Sequence, residues 1–135
     1  MPTAACLGAV YNTADSYGAC LLAGREGRMV ISIVTRKTSI TERAQWQSRL
    51  DGVLPKITEA LKAEGGFAGV QYLWAAEDDG VMGQITRWET LGHCLRYVRE
   101  GGAATVAMLE DRAVPTAPYP DGAWMRRTFE VVEAG

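Results

Sequence analysis

An α+β domain, a four-stranded sheet with its helices on one face, is what this sequence predicts, and three observations predict it. Four short runs rich in β-branched and aromatic residues are set apart by turn signals. One stripe, Trp46, Leu50, Val53, Leu54, Ile57 and Leu61, repeats at helical spacing. A second helical run follows the third strand rather than the second, so the order reads β, long α, β, β, α, β.

"MVISIVTR", Met29 to Arg36, is the first strand, and it has too few polar residues to lie open on one face, so burial on both is expected. The long segment from Thr38 to Gly66 starts with Ser39 and Glu42 three apart, a capping-box spacing, and Gly65 and Gly66 stop it. Gly52 and Pro55 inside it predict a kink or break near Leu54. "FAGVQYLWAA" and "GVMGQITRW" are strands joined by "EDDG", whose Asp-Gly is a hairpin signal and whose acids, Glu77 to Asp79, read as a solvated turn. From Thr90, "TLGHCLRYVRE" places Leu91, Cys94, Leu95 and Val98 on one helical face, and Gly101 and Gly102 break it. "AATVAMLEDRAV" adds a further helical turn or two before the proline-rich "PTAPYPDG". In the last run, "AWMRRTFEVVEA", Met125, Phe129 and Val131 fall on one strand face, with Trp124, Arg126, Thr128 and Glu130 on the other. This order is the split βαβ plan of a ferredoxin-like domain.

A length of 135 residues suits one domain with a core of its own, and 47% apolar with 22% charged residues argues against disorder. A formal charge of −2 gives no electrostatic case for nucleic acid or an anionic membrane. Cys6, Cys20 and Cys94 are an odd number without a CxxC pair, which fits free thiols in a reducing compartment. The start, "MPTAACLGAV", lacks a basic n-region, and no run is apolar for the length a membrane span needs, so a cytoplasmic protein is expected. The character changes at "GREGR", Gly24 to Arg28. Residues 1–28 are read as an extension, a hairpin of small residues or a docking arm, or as the product of an upstream start codon; residues 29–135 are the domain.

The opening strand "VISIVTR", the "GGFAGVQYLW" passage after the long helix, and the "ITRWET" strand end leading into a helix together resemble the antibiotic-biosynthesis-monooxygenase-like family of the dimeric α/β-barrel superfamily, over about residues 29 to 135. The resemblance implies a homodimer formed by packing two sheets face to face, with a pocket between each sheet and its own helices. A C2 dimer would also cover an outer sheet face too apolar for water. Family members include cofactor-free oxygenases of polycyclic phenols or quinols, haem-degrading enzymes, and proteins of no known activity. In the haem-degrading relatives the ligand histidine lies beyond the tryptophan, where this chain reads "YVRE", and the first strand carries an asparagine that "VISIVTR" lacks. Haem binding or degradation is therefore disfavoured.

Candidate site residues follow from chemistry. His93 is the only histidine, so any imidazole acting as a general base must be this one; otherwise it is a cap or surface residue. Tyr72 and Tyr97 are hydrogen-bond donors to a substrate oxygen, or packing residues. Trp88, a common family residue at this strand end, is either core or an aromatic wall on which a planar ring stacks, and Trp74 shares a strand face with Tyr72. Arg126 and Arg127 point to opposite faces of the last strand; Arg127 is taken as the substrate contact. No ligand cluster with metal spacing and no glycine-rich phosphate loop is present, so neither metal nor cofactor is expected. The reading is a cofactor-independent monooxygenase that oxidises a phenolic, quinol or anthrone-like aromatic substrate with O2. Deprotonation is its logic, because a phenolate gives an electron to O2 more readily than a phenol. The alternative is a non-catalytic small-molecule-binding or assembly protein of the same fold.

Overall fold

The computed structural model describes residues 28–77 and 79–134. The proposed N-terminal arm, with Cys6 and Cys20, therefore lies outside the described residues, apart from Arg28. Strand β1 spans Val30–Lys37, helix α1 Arg43–Lys62, β2 Phe67–Trp74, β3 Val81–Trp88, α2 Leu91–Arg99, α3 Gly102–Ala113 and β4 Met125–Glu130. The four strands form one sheet in the order β2-β3-β1-β4, every neighbouring pair antiparallel. With its helices on one face this is the ferredoxin-like α+β fold.

Period-two alternation decides what each strand buries. On β1, Val30, Ser32, Val34 and Arg36 are buried beneath the helices, while Ile31, Ile33 and Thr35 on the other face are only partly covered. The expectation that this strand is buried on both faces thus holds for one face of the single chain. β3 follows the same rule, with Met82, Gln84, Thr86 and Trp88 inward. Residues paired across β1 and β3 share a face, so Ser32 sits opposite Thr86 and Val34 opposite Gln84.

The apolar stripe of α1 packs as read: Trp46, Leu50, Ile57 and Leu61 are buried, with Val53 and Leu54 partly so. Two local expectations give way. The helix runs unbroken through Pro55, whose missing N–H costs one hydrogen bond in a helix held by a long buried stripe. The capping box does not form: Glu42 takes the N-cap position without a side-chain bond, and Ser39 donates instead to the Pro115 carbonyl at 3.2 Å. The run after Gly101 is longer than expected, a twelve-residue helix. Its start needs Gly101, which adopts φ 98°. Gly80 closes the β2–β3 hairpin at φ 84°, where an added Cβ would lie 2.9 Å from the Ile40 carbonyl oxygen.

Trp88 is central to the core. Its ring is fully buried, 4.6 Å from Tyr97 and 5.7 Å from Phe67 between centroids, and its indole N–H donates to Thr86 Oγ1 at 3.0 Å.

Candidate functional site

Two elements each place a charged residue where their pattern calls for an apolar one. Arg36 continues the inward row of β1 after Val30, Ser32 and Val34. Glu110 continues the inward row of α3 after Ala103 and Val106. The sheet and α3 bring these two side chains together in the core, 3% and 2% exposed. Arg36 donates to Glu110 Oε1 from Nη2 at 3.0 Å and from Nε at 3.3 Å. Its Nη1 donates to the Val114 carbonyl at 2.9 Å and to Thr116 Oγ1 at 3.0 Å. The Trp124 ring covers the guanidinium, 4.4 Å from Cζ to centroid, and its own N–H donates to Thr116 Oγ1. A charge removed from water in this way has to be paired and fully hydrogen-bonded, and Arg36 is.

The other carboxylate oxygen of Glu110 carries the network towards β2. Gln84 Nε2 lies 3.3 Å from Oε2 and also donates to the Tyr72 hydroxyl at 2.9 Å. The Tyr72 hydroxyl and Glu110 Oε2 thus flank the same amide nitrogen. Burial pushes the Tyr72 phenol far above its ordinary value, and the Glu110 charge adds to this. Burial likewise pushes the Glu110 carboxyl up, against the opposing pull of Arg36.

Tyr72 is also a wall of a cleft of about 340 Å³ between α1 and β2. Trp46, Leu50, Leu54 and Val70 supply its apolar lining, and Arg43 a positive charge. Its size falls in the lower part of the range of small-molecule sites, about 300–1,000 Å³. Trp46 stacks on Trp74 with centroids 5.2 Å apart, and its buried indole N–H has no hydrogen-bond partner. An orphan donor of this kind costs free energy unless something accepts from it.

The residues singled out in the sequence fall into separate groups. Tyr72 lines the cleft, and Trp74 reaches it only through its contact with Trp46. Trp88 and Tyr97 stack on one another in the core, and the buried Tyr97 hydroxyl lacks a partner. Burial pushes that phenol up, with the Arg126 charge opposing. His93 sits on the first turn of α2, where Thr90 caps the helix: the His93 backbone N–H donates to Thr90 Oγ1, and Nδ1 lies 2.8 Å from the same oxygen. Its ring lies against Gly66, so closely that a Cβ there would stand 2.2 Å from Cγ. Gly66 precedes the first residue of β2 whereas Tyr72 lies towards its other end, and His93 is not among the residues that line the cleft. The two do not share a cleft. Arg127 projects from the face opposite Tyr72, paired with Ile33, whereas Arg126 on the helix side donates to Ser32 Oγ at 2.6 Å.

Arg36, Gln84 and Glu110 were not singled out from the sequence. The legible signal was a charge at a core-facing position in each of two amphipathic elements, with opposite signs. Among the described residues no group of three or more His, Cys, Asp or Glu side chains could hold a metal ion, and no helix is long and apolar enough to cross a membrane.

No protein-family model matches the chain, and no curated protein matches it. Solved structures do match. The cofactor-independent oxygenase SnoaB from Streptomyces nogalater is similar with a TM-score of 0.54 at 15% identity, over 79% of this chain and 96% of that one. A Bordetella bronchiseptica protein provisionally assigned as an antibiotic biosynthesis monooxygenase gives a TM-score of 0.55 at 13% identity, over 78% and 99%. A Nitrosomonas europaea protein of unknown function gives 0.52 at 14%, over 82% and 95%. The chain has the fold of the antibiotic-biosynthesis-monooxygenase-like proteins.

Proposed function

We propose that this protein is a cofactor-independent monooxygenase that oxidises an electron-rich phenolic, quinol or anthrone-like ring with O2. The observation that carries the reading is Tyr72, a wall of a cleft that Trp46 also lines, with its hydroxyl hydrogen-bonded by Gln84 beside the Glu110 carboxylate. A planar substrate lies in the cleft against Trp46 and Tyr72, and its oxygen meets the Tyr72 hydroxyl. The buried network of Gln84, Glu110 and Arg36 behind Tyr72 strengthens the polar contact the substrate makes there, and the phenolate formed passes an electron to O2. The fold shared with SnoaB, an oxygenase that works without a cofactor, supports the class of reaction. In this reading Trp88 belongs to the core and His93 to the cap of α2.

The functional unit is proposed to be a homodimer. Ile31, Ile33, Ile85, Met125 and Phe129 share the sheet face that no helix covers, and a second copy placed there buries them. A second reading, a protein that binds a small aromatic molecule without oxidising it, draws on the unpaired Trp46 N–H, which calls for an acceptor whatever the chemistry.

Oxygen uptake by the purified, chelator-treated protein with a panel of hydroquinones and anthrones tests the proposal. Uptake is expected to fall by about a hundredfold in Tyr72→Phe, the scale of a lost acid–base contribution, and to persist in His93→Ala. Binding of the panel without uptake favours the second reading.

A further inference from the structure

We infer that Glu110 is the proton acceptor of this site, taking a substrate's phenolic proton through the Tyr72 hydroxyl. The inference rests on the phenol-oxidation reading and names the base which that reading leaves open. Tyr72 Oη accepts one hydrogen bond from Gln84 Nε2 at 2.9 Å, and the same Nε2 donates to Glu110 Oε2 at 3.3 Å, so the phenol and the carboxylate flank one amide nitrogen. A phenolic oxygen has a second lone pair, and nothing described in the structure occupies it. A substrate hydroxyl donating to that lone pair completes a chain from the substrate through Tyr72 to Glu110 Oε2.

The step balances without a redox partner. The substrate O–H bond breaks and its proton bonds to Tyr72 Oη, while the proton of Tyr72 passes to the Glu110 carboxylate. The products are a phenolate, an intact tyrosine and a glutamic acid, with the net charge unchanged. Only afterwards does an electron leave the phenolate, for the O2 that the reaction already requires. Tyrosinate is never formed, which matters because burial makes it costly here.

The surroundings suit Glu110 to the task. Burial favours its protonated form, and Arg36 from β1 opposes this while holding the carboxylate in place with two hydrogen bonds to Oε1, leaving Oε2 towards Gln84. Asp111 on the same helix also pushes the carboxyl up, and Tyr97 from α2 interacts with it through space. Gln84 orients both acceptor oxygens at once, so Tyr72 and Glu110 keep one relative geometry. No sequence motif announces this arrangement. Arg36 and Glu110 are 74 residues apart and Gln84 and Glu110 are 26 apart.

The test uses 4-nitrophenol, whose phenolate absorbs visibly, added to the full chain at a pH about one unit below the ionisation of the free probe. Wild-type protein is expected to bind it as phenolate. In Tyr72→Phe, which leaves the Arg36–Glu110 pair in place, and in Glu110→Gln, the bound probe is expected to stay neutral, its ionisation weakened at least tenfold; His93→Ala should keep the phenolate band. A band that survives in Tyr72→Phe, or is lost in His93→Ala, overturns the inference, as does wild-type protein that does not bind the probe. The two claims fail separately. A phenolate band lost in both site variants, without oxygen uptake on any panel member, keeps the proton acceptor and removes the oxidation. Uptake that is unchanged in Tyr72→Phe and Glu110→Gln keeps the oxidation and removes the proton acceptor.

Discussion

Glu110→Leu removes the buried carboxylate that holds Arg36, leaving the half-exposed Asp111 at 3.8 Å as its ion-pair partner, and its cost can be worked out bond by bond. Arg36 loses the acceptor for Nε and Nη2 but keeps Val114 and Thr116 for Nη1. Gln84 loses an acceptor as well. Breaking a buried pair by removing one partner typically costs about 3–5 kcal/mol, because the remaining charge stays desolvated. Against a domain stability of about 5–15 kcal/mol, that is a fifth of the total at the least. For a chain of this size the midpoint of thermal unfolding should fall by roughly 10–20 °C. The double variant Arg36→Met/Glu110→Leu removes the stranded charge too, and should be more stable than Glu110→Leu alone, with a coupling of at least about 1 kcal/mol. Urea unfolding followed by tryptophan fluorescence measures all four corners of the cycle. A Glu110→Leu cost below about 1 kcal/mol, or strict additivity, would refute the reasoning: the pair would then be solvated, and the dry environment needed for proton transfer would be absent.

Two further outcomes follow from the same core. Tyr72 and Tyr97 both hold their protons above the ordinary phenol value, so the folded state binds protons that the unfolded chain releases. Their contribution is whole below the unfolded value of about 10 and is lost as pH rises above it, so an alkaline absorbance titration should show a late tyrosine step that coincides with unfolding. Gly66→Ala forces a side chain into φ 80° and against the His93 ring; about 1–2 kcal/mol for the left-handed backbone and about 1 kcal/mol for a disturbed Thr90 cap predict a loss near 2–3 kcal/mol, partly recovered by adding His93→Ala in thermal unfolding.

The uncovered sheet face and the buried site are two consequences of one alternation. On β1, the inward row includes Ser32 and Arg36, while the outward row carries Ile31 and Ile33. Each row carries two polar residues, Thr35 and Lys37 on the outward one, but only Ser32 and Arg36 are buried under the helices. That arrangement makes sense if the interior hosts chemistry and the outer face meets another apolar surface, as the proposed homodimer supplies.

Local periodicity was enough to read the architecture. The α1 stripe from Trp46 to Leu61, the Asp-Gly hairpin and the alternation of β4 are each contained within a few turns of chain, so element order and fold class were legible without any long-range information. Where propensity competed with packing it lost: Pro55 did not break α1, and Ser39 bonded Pro115, far along the chain, rather than the helix beside it. The site was mostly illegible for the same reason. Tyr72 could be picked by residue type, but its partners Gln84 and Glu110 come from another strand and a helix late in the chain. Likewise, His93 looked like a base only because it was the single imidazole; its place against Gly66 depends on how α2 packs onto the turn after α1. Periodicity along the chain determines which face a residue presents, whereas which buried charge meets which is decided only when the sheet and helices close on one another.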